Sequence, residues 1–444
     1  MKIDRFKNYD EGVRDLVLRF ECQDTSGSMF FDVAELEVIM DYYLEVYDDE
    51  GLEAAVVYGE GLYPYSGEIR LRRAHLMSIR GQYDSAVRIL EELVQAEPDN
   101  TDVCYALGAV YSMMERAEDA IICYERAAVD GYELDMVYGN IGDEYYKLGK
   151  KEKAALYYRK AVDVNPEEGR SVYNLACTEC ELGKGEDVTT FFKMLVDDRP
   201  YNKWAWLGLG LVYSKLHLWE RGADAYEFAI AIDGTLFDAY LGLADCYMEL
   251  GDNGKAVQTL RESLEYTDDR AYVFFCIGNL YRELGNLHTA TVYLHDALKE
   301  DPSYGDAWLA LGQCSQQLGY GEEAAGYYRR AIDLNPDSDE GWLCLADLYI
   351  GEGCFAEAAA LMESGYADAV TPLLFASRLC YCYYRMGRRE RLVDFLLSAN
   401  TDLQSVYFQV LAVYPDLAGD TAFVEFLTGL DCDDEKKLNN KKCN

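Results

Sequence analysis

Two cysteines have the spacing of a redox or metal-binding motif. Cys177 and Cys180 form a Cys-x-x-Cys pair, which can exchange thiol and disulfide or provide half of a tetrahedral zinc site. A zinc site needs a second pair of Cys or His residues, and thioredoxin-type exchange needs a βαβ unit around the motif. The sequence provides neither beside this pair. We therefore interpret Cys177 and Cys180 as ordinary residues of one helix.

The other groups that could act in catalysis show no motif. Of the four histidines, His288 and His295 are separated by about two helical turns, which is typical of surface residues. The sequence contains no G-x-x-x-x-G-K-[ST] phosphate loop, no H-E-x-x-H zinc motif and no G-x-S-x-G nucleophile motif. The sequence thus predicts a protein that is not an enzyme and has no cofactor and no bound metal.

The proline positions show how the chain is organised. Six of the eight prolines are separated by 34 residues or by a multiple of 34, namely Pro64, Pro98, Pro166, Pro200, Pro302 and Pro336. A fixed period of this length indicates stacked copies of one supersecondary unit. Eleven repeats, the first beginning at Val33 and each 34 residues long, reach residue 406 without an insertion.

Each repeat has the pattern of two packed helices. Its eighth and twentieth positions are mostly Gly or Ala, which lets two helix backbones approach closely. A Leu-Gly pair, as at Leu148 and Gly149, ends the first helix, because glycine adopts the left-handed conformation of a helix terminus. Proline ends the second helix, because it lacks an N–H and clashes with the preceding turn. The repeat that begins at Asp135 shows the whole pattern in Tyr138, Ile141, Gly142, Tyr145, Ala154, Tyr158, Ala161 and Pro166.

This pattern, W-x2-L-G-x2-Y, then A-x3-F/Y-x2-A, then P, resembles the tetratricopeptide repeat (TPR). The resemblance covers residues 33–406 and weakens in the end repeats, where Met40, Leu52 and Leu392 replace small residues. Atypical end repeats are expected of caps. The resemblance implies an all-α fold, one right-handed α-solenoid (superhelix) of antiparallel helix pairs. It also implies a role in protein–protein interaction and no reaction.

The segments outside the repeats complete the predicted domain organisation. Residues 1–32 include an amphipathic helix, roughly Tyr9 to Phe20, and are predicted to form an N-terminal helical cap. Residues 407–430 carry apolar residues at helical spacing and are predicted to form a C-terminal helical cap. Residues 431–444 lack apolar periodicity and are predicted to be a disordered polar tail.

The acidic composition limits the class of partner. The chain has 80 acidic and 41 basic residues, a net charge of −39, whereas nucleic acids and anionic membranes are bound by clustered Lys and Arg. We therefore predict no nucleic-acid and no membrane partner. No signal peptide opens the sequence, and the uncharged stretches are too short to span a bilayer. With fourteen scattered cysteines, these features predict a cytoplasmic protein without a disulfide framework.

One face of the first helices predicts where a partner binds. The resemblance to TPR superhelices implies that the second, fifth, ninth and twelfth positions of each first helix line the inner groove. The predicted apolar residues there are Trp204, Leu211 and Tyr272, and the predicted acids are Asp143, Asp238, Asp245, Asp306 and Asp347. Asn140, Asn174 and Asn279 are predicted to hydrogen-bond the backbone of a ligand. Aspartate also recurs at the ninth position of every third repeat, a spacing that the sequence alone does not explain.

The sequence thus predicts a scaffold or adaptor whose acidic concave groove binds a protein or peptide, in particular an extended segment rich in Lys or Arg. The carboxylate clamp for chaperone C-termini needs Lys at the fifth position, which no repeat has, so that specificity is predicted to be absent. The acidity has a second explanation, the solubility of an extended rod. Two alternative functions stay open, a structural self-associating array and a regulatory subunit of an enzyme complex.

Overall fold

A computed structural model of the chain describes residues 9–22, 30–129, 133–399 and 403–428. All regular secondary structure in these ranges is helical, which confirms the predicted all-α fold. The chain divides into two compact units, of which the first ends at Leu250 and the second begins at Gly251. None of the helices in the described ranges combines the length and the apolar character needed to cross a bilayer.

The described helices of the first unit are α1 (Glu11–Glu21), α2 (Val33–Glu45), α3 (Asp49–Leu62), α4 (Gly67–Ile79), α5 (Tyr83–Ala96), α6 (Thr101–Met113), α7 (Ala117–Ala127), α8 (Leu134–Lys147), α9 (Lys151–Val164), α10 (Gly169–Glu181), α11 (Gly185–Asp198), α12 (Lys203–Lys215), α13 (Trp219–Ile232) and α14 (Phe237–Glu249). Within this unit, consecutive helices pack against each other.

The described helices of the second unit are α15 (Asn253–Ser263), α16 (Arg270–Glu283), α17 (Leu287–Glu300), α18 (Gly305–Gln317), α19 (Gly321–Leu334), α20 (Asp339–Gly351), α21 (Phe355–Gly365), α22 (Pro372–Met386), α23 (Arg389–Ala399), α24 (Leu403–Val413) and α25 (Thr421–Thr428). Two short 3₁₀ helices, Tyr366–Asp368 and Pro415–Gly419, lie between them.

The helices follow the predicted repeats closely. Each even-numbered helix from α2 to α22 begins at the first residue of a predicted repeat or one residue before it. The odd-numbered helices from α3 to α23 provide the second helix of each pair. The division into caps and one continuous repeat domain stays a prediction, and the predicted tail, residues 431–444, lies outside the described residues.

The prolines and tryptophans of the repeats are connected by hydrogen bonds. The indole Nε1 of Trp206 donates to the carbonyl oxygen of Pro200 over 2.9 Å, and that of Trp308 donates to Pro302 over 3.0 Å. The proline carbonyl, which follows the end of one helix, thereby accepts a hydrogen bond from a tryptophan near the start of the next helix. This bond explains why the proline and the aromatic residue keep a fixed separation.

The small eighth-position residues lie against tyrosine rings. A Cβ added at Gly142 would lie 2.5 Å from the ring of Tyr158, and one added at Gly312 would lie 2.4 Å from the ring of Tyr328. Both tyrosines are buried on the second helix of their repeat. The ring therefore occupies the space that a side chain of the first helix would need, and the two helices pack at a distance that only glycine permits.

We expect Gly312→Ala to destabilise the second unit by about 1–3 kcal/mol, because the added methyl group overlaps the Tyr328 ring in a tightly packed core. Gly326 on α19 is the matched control, since nothing lies within 4 Å of a Cβ added there. Gly326→Ala should stabilise the protein by about 0.5–1 kcal/mol, because alanine favours a helix interior. Thermal unfolding followed by circular dichroism measures both changes. Shifts of the same sign in the two variants would contradict the packing argument.

Candidate functional site

Two pockets adjoin each other in the first unit, and each has a volume of about 670 Å³. The polar pocket is lined by Ser112, Tyr124, Asn140, Asp143, Glu144, Tyr146, Lys147, Tyr158, Arg170, Tyr173, Asn174, Cys177, Thr178, Glu181 and Lys215. The apolar pocket is lined by Tyr173, Leu207, Leu211, Ser214, Lys215, His217, Trp219, Tyr226, Asp238, Leu241, Gly242, Asp245, Met248 and Glu249. Tyr173 and Lys215 line both pockets, so the two form one groove.

Asp143 is the centre of the polar pocket. Its carboxylate accepts hydrogen bonds from the Tyr158 hydroxyl over 2.8 Å and from the Asn174 amide over 3.0 Å. The Arg170 guanidinium lies 3.2 Å from its second oxygen. Burial raises the pKa of Asp143, and the Tyr158 hydrogen bond and the Arg170 charge offset part of that effect. This predicted site residue therefore holds three neighbouring helices together.

The two asparagines of this pocket also have partners within the protein. Asn140 accepts a hydrogen bond from Arg170 over 2.9 Å and donates one to the Tyr105 hydroxyl over 2.9 Å. Asn174 donates to Asp143. An amide has two donor hydrogens and an acceptor oxygen, so each side chain keeps part of its hydrogen-bonding capacity. Their predicted role in binding a ligand backbone stays a prediction.

The polar pocket contains cations that the sequence analysis missed. Lys147 binds the buried Glu144 carboxylate over 2.7 Å, and Arg170 binds Asp143. Lys215 stands where the two pockets join and forms no ion pair with the described residues of the first unit. The available signal was a basic residue at the second or thirteenth position of a repeat. In a chain of net charge −39, the many acids of this face are the stronger signal and conceal these few cations.

The apolar pocket combines an apolar floor with a row of acids. Its floor includes Leu207, Leu211, Leu241 and Met248. The acids are Asp238, Asp245 and Glu249, which are separated by seven and four residues on α14 and therefore lie on one face of that helix. None of the three forms a hydrogen bond or an ion pair with the described residues of the first unit. The Asp245 side chain is exposed in the groove, but desolvation by the surrounding pocket and, second, the Glu249 carboxylate raise its pKa.

Trp204, which is predicted to be an apolar residue of the groove, lies outside both pockets. Its ring lies over Gly169, where an added Cβ would be 2.5 Å from the ring atoms. It is half-buried, packs against the hydrophobic core around Val172 and lines neither pocket. The apolar surface of the groove is provided by the leucines of α12 and α14 instead.

The remaining predicted residues belong to the second unit. Tyr272 is 37% exposed on α16, and Asp306 is exposed on α18. Asn279 accepts a hydrogen bond from Arg282 over 3.1 Å. Asp347 accepts two from Arg378, over 2.8 and 2.7 Å. The role of these four residues in partner binding stays a prediction.

The structure explains the aspartates at the ninth position. Asp41 binds Arg72 and Asp347 binds Arg378, and in both cases the partner lies 31 residues later, at the sixth position of the next repeat. Asp143 binds Asn174 at the same separation of 31 residues. The recurring aspartate thus connects consecutive first helices. Asp245, the fourth member of the series, has no such partner within the first unit.

Cys177 lines the polar pocket and Cys180 is half-buried behind it. Burial raises the pKa of both thiols, so both are protonated at neutral pH and are poor nucleophiles. Among the residues that the structure describes, no three His, Cys, Asp or Glu side chains are grouped as a metal site.

Family models described as tetratricopeptide repeat match residues 79–130, 136–168, 217–274, 277–339 and 316–371. Together these segments cover more than half of the sequence. The chain belongs to the tetratricopeptide repeat family. The predicted TPR resemblance is thereby confirmed.

Two curated relatives and one solved structure are similar to this TPR chain. Superkiller complex protein 3 of Homo sapiens is 23% identical in an alignment of 240 residues, which covers 44% of this chain and 15% of that protein. Anaphase-promoting complex subunit 3 of Schizosaccharomyces pombe is 22% identical over 219 residues, 49% of this chain and 28% of that protein. The chain therefore spans less than a third of the length of either relative. A tetratricopeptide repeat protein from Parabacteroides merdae superposes with a TM-score of 0.41 at 18% identity, over 56% of this chain and 98% of that one.

We expect Asp245→Asn to stabilise the protein at neutral pH, because it removes a partly desolvated carboxylate that has no partner in the first unit. The folded-state pKa of Asp245 is raised, so the charged form costs stability above that pKa and the cost disappears below the unfolded pKa. The advantage of the variant should therefore shrink as the pH falls from about 7 to about 4. Urea denaturation at the two pH values measures it.

Asp347→Asn is the matched comparison at the same repeat position. It should destabilise the protein by about 1–3 kcal/mol, because the Arg378 side chain, 9% exposed, loses its charged partner. If both variants destabilise the protein to the same extent at neutral pH, the distinction between paired and unpaired ninth-position aspartates is wrong.

Proposed function

We propose that this chain is a non-enzymatic protein-binding scaffold, which holds an extended partner segment rich in Lys or Arg in the groove of its first unit. The apolar pocket carries this proposal. Three carboxylates without partners in that unit, Asp238, Asp245 and Glu249, stand beside an apolar floor. Unpaired charges in a concave surface cost stability, and they are retained most readily where a ligand of opposite charge neutralises them.

The shape and chemistry of the groove fit a lysine or arginine side chain. Such a side chain has an aliphatic stem, which can pack on Leu211 and Leu241, and a charged end, which can reach the acids of α14. The adjoining polar pocket contains Asn140 and Asn174, whose remaining amide groups suit the N–H and C=O groups of an extended backbone. An extended segment can use both pockets at once.

Family membership and the relatives support a binding function. TPR proteins serve protein–protein interaction, and the names of the two curated relatives place each of them in a multiprotein complex. We extend to this chain only the general role, a scaffold for other proteins. A regulatory subunit of an enzyme complex is one form of that role. The second-unit residues Tyr272, Asn279, Asp306 and Asp347, as well as Trp204 and the cytoplasmic location, stay predictions.

The proposal can be tested with a fluorescein-labelled peptide in which lysines alternate with threonines around a central leucine. We expect the double variant Asp238→Asn with Asp245→Asn to weaken binding by about two- to thirtyfold, since each of the two partly exposed ion pairs is worth about 0.2–1 kcal/mol. The loss should come mainly from slower association. Leu211→Ala should instead accelerate dissociation, because it removes apolar contact area. Fluorescence anisotropy and stopped flow measure these effects.

Asp224→Asn is the matched control, because Asp224 is an exposed acid of α13 that lines neither pocket. It should leave the affinity unchanged, and a peptide with glutamate in place of lysine should not bind. Equal affinity of the groove variants and the control variant would refute binding in this groove and leave solubility as the reason for the acidity.

A further inference from the structure

The chain itself contains a segment with the chemistry that the groove requires. Residues 436–442 read Lys-Lys-Leu-Asn-Asn-Lys-Lys, a leucine and two asparagines between two lysine pairs. Residues 431–435, immediately before them, contain four acids. The segment 431–444, which lies outside the described residues, is thus acidic in its first part and basic in its second part.

We infer that the groove of the first unit binds segment 431–444 of a second copy of this chain. The inference rests on the proposed function, because it uses the same groove and names its occupant. It commits to a second copy since helical repeats contact their sequence neighbours, and the segment follows the whole second unit in the sequence.

The charges of the segment and of the groove match in order. The polar pocket contains Lys147, Arg170 and Lys215, and of these Lys215 has no ion pair within the first unit. The apolar pocket adjoins it and contains the acids of α14. The acidic part of the segment therefore faces Lys215 when its basic part faces α14. This agreement fixes the direction of the bound segment.

The lengths also match. Asp238 and Glu249 are eleven residues apart on α14, which corresponds to about 16 Å at the rise of an α-helix. Lys437 and Lys442 are five residues apart, which corresponds to about 16 Å in an extended chain. Leu438 follows Lys437 in the sequence, and its apolar side chain suits the apolar floor of the groove.

Such a contact is heterologous, because the groove of one copy meets a different surface of the next. Each copy can therefore bind one neighbour through its groove and another through its segment, which builds a chain of copies that stays open or closes into a ring. Its strength depends on charge pairs, so it weakens at high salt.

The test uses two variants of the full chain in reducing buffer. The segment variant has Lys436, Lys437, Lys441 and Lys442 replaced by Gln, and the groove variant has Asp238→Asn, Asp245→Asn and Glu249→Gln. In sedimentation velocity, the weight-average sedimentation coefficient of the unchanged chain should rise with protein concentration and fall with salt concentration. Each variant alone should stay monomeric. An equal mixture should form dimers and nothing larger, because one intact groove meets one intact segment.

Three results would overturn the inference. The mixture could stay monomeric, or the segment variant could associate like the unchanged chain. The unchanged chain could also stay monomeric while the segment variant binds the lysine–threonine peptide more tightly, which would assign the segment to its own groove. In each case, binding of that peptide by the segment variant would leave the proposed function intact. If the peptide also fails to bind, the proposed function fails as well.

Discussion

In several helix pairs a tyrosine ring of the second helix packs against a glycine of the first helix. This contact determines the distance between the two helices of each pair that contains it. Tyr158 against Gly142 and Tyr328 against Gly312 show the same geometry, with 2.5 and 2.4 Å between the ring and an added Cβ. The ring gains dispersion contacts with the backbone, and the backbones approach closely as a result. Once this distance is fixed, a 34-residue period places equivalent side chains of successive repeats on the same surface.

The charged side chains of the groove stand at positions that this packing does not use. Asp143 and Asp347 are used to connect neighbouring first helices, whereas the acids of α14 have no such use within the first unit. Identical residue types at equivalent positions thus serve either the fold or the surface. The paired aspartates each meet a donor that the following repeat presents 31 positions later, Asn174 for Asp143 and Arg378 for Asp347.

The sequence predicted the fold far better than the site, for a physical reason. Helix starts and ends depend on local residues such as proline and glycine, which act through their own backbone. The even-numbered helices from α2 to α22 therefore begin within one residue of the predicted repeat starts. Side-chain partners depend on neighbouring repeats. Trp204 packs against Gly169 because glycine leaves room for its ring, and Asn140 accepts a hydrogen bond because Arg170 reaches it. Neither contact can be predicted from the residue type alone.

The bonds between tryptophans and proline carbonyls have an optical consequence. Trp206 is held by Pro200 and stacks on Phe228 at 4.6 Å, whereas Trp308 and Trp342 are held by Pro302 and Pro336 in the second unit. Indole emission depends on the polarity and rigidity of its surroundings. The chain therefore contains fluorophores attached to particular repeats, and replacing the tryptophans of one unit by phenylalanine leaves a chain whose emission reports on the other unit alone.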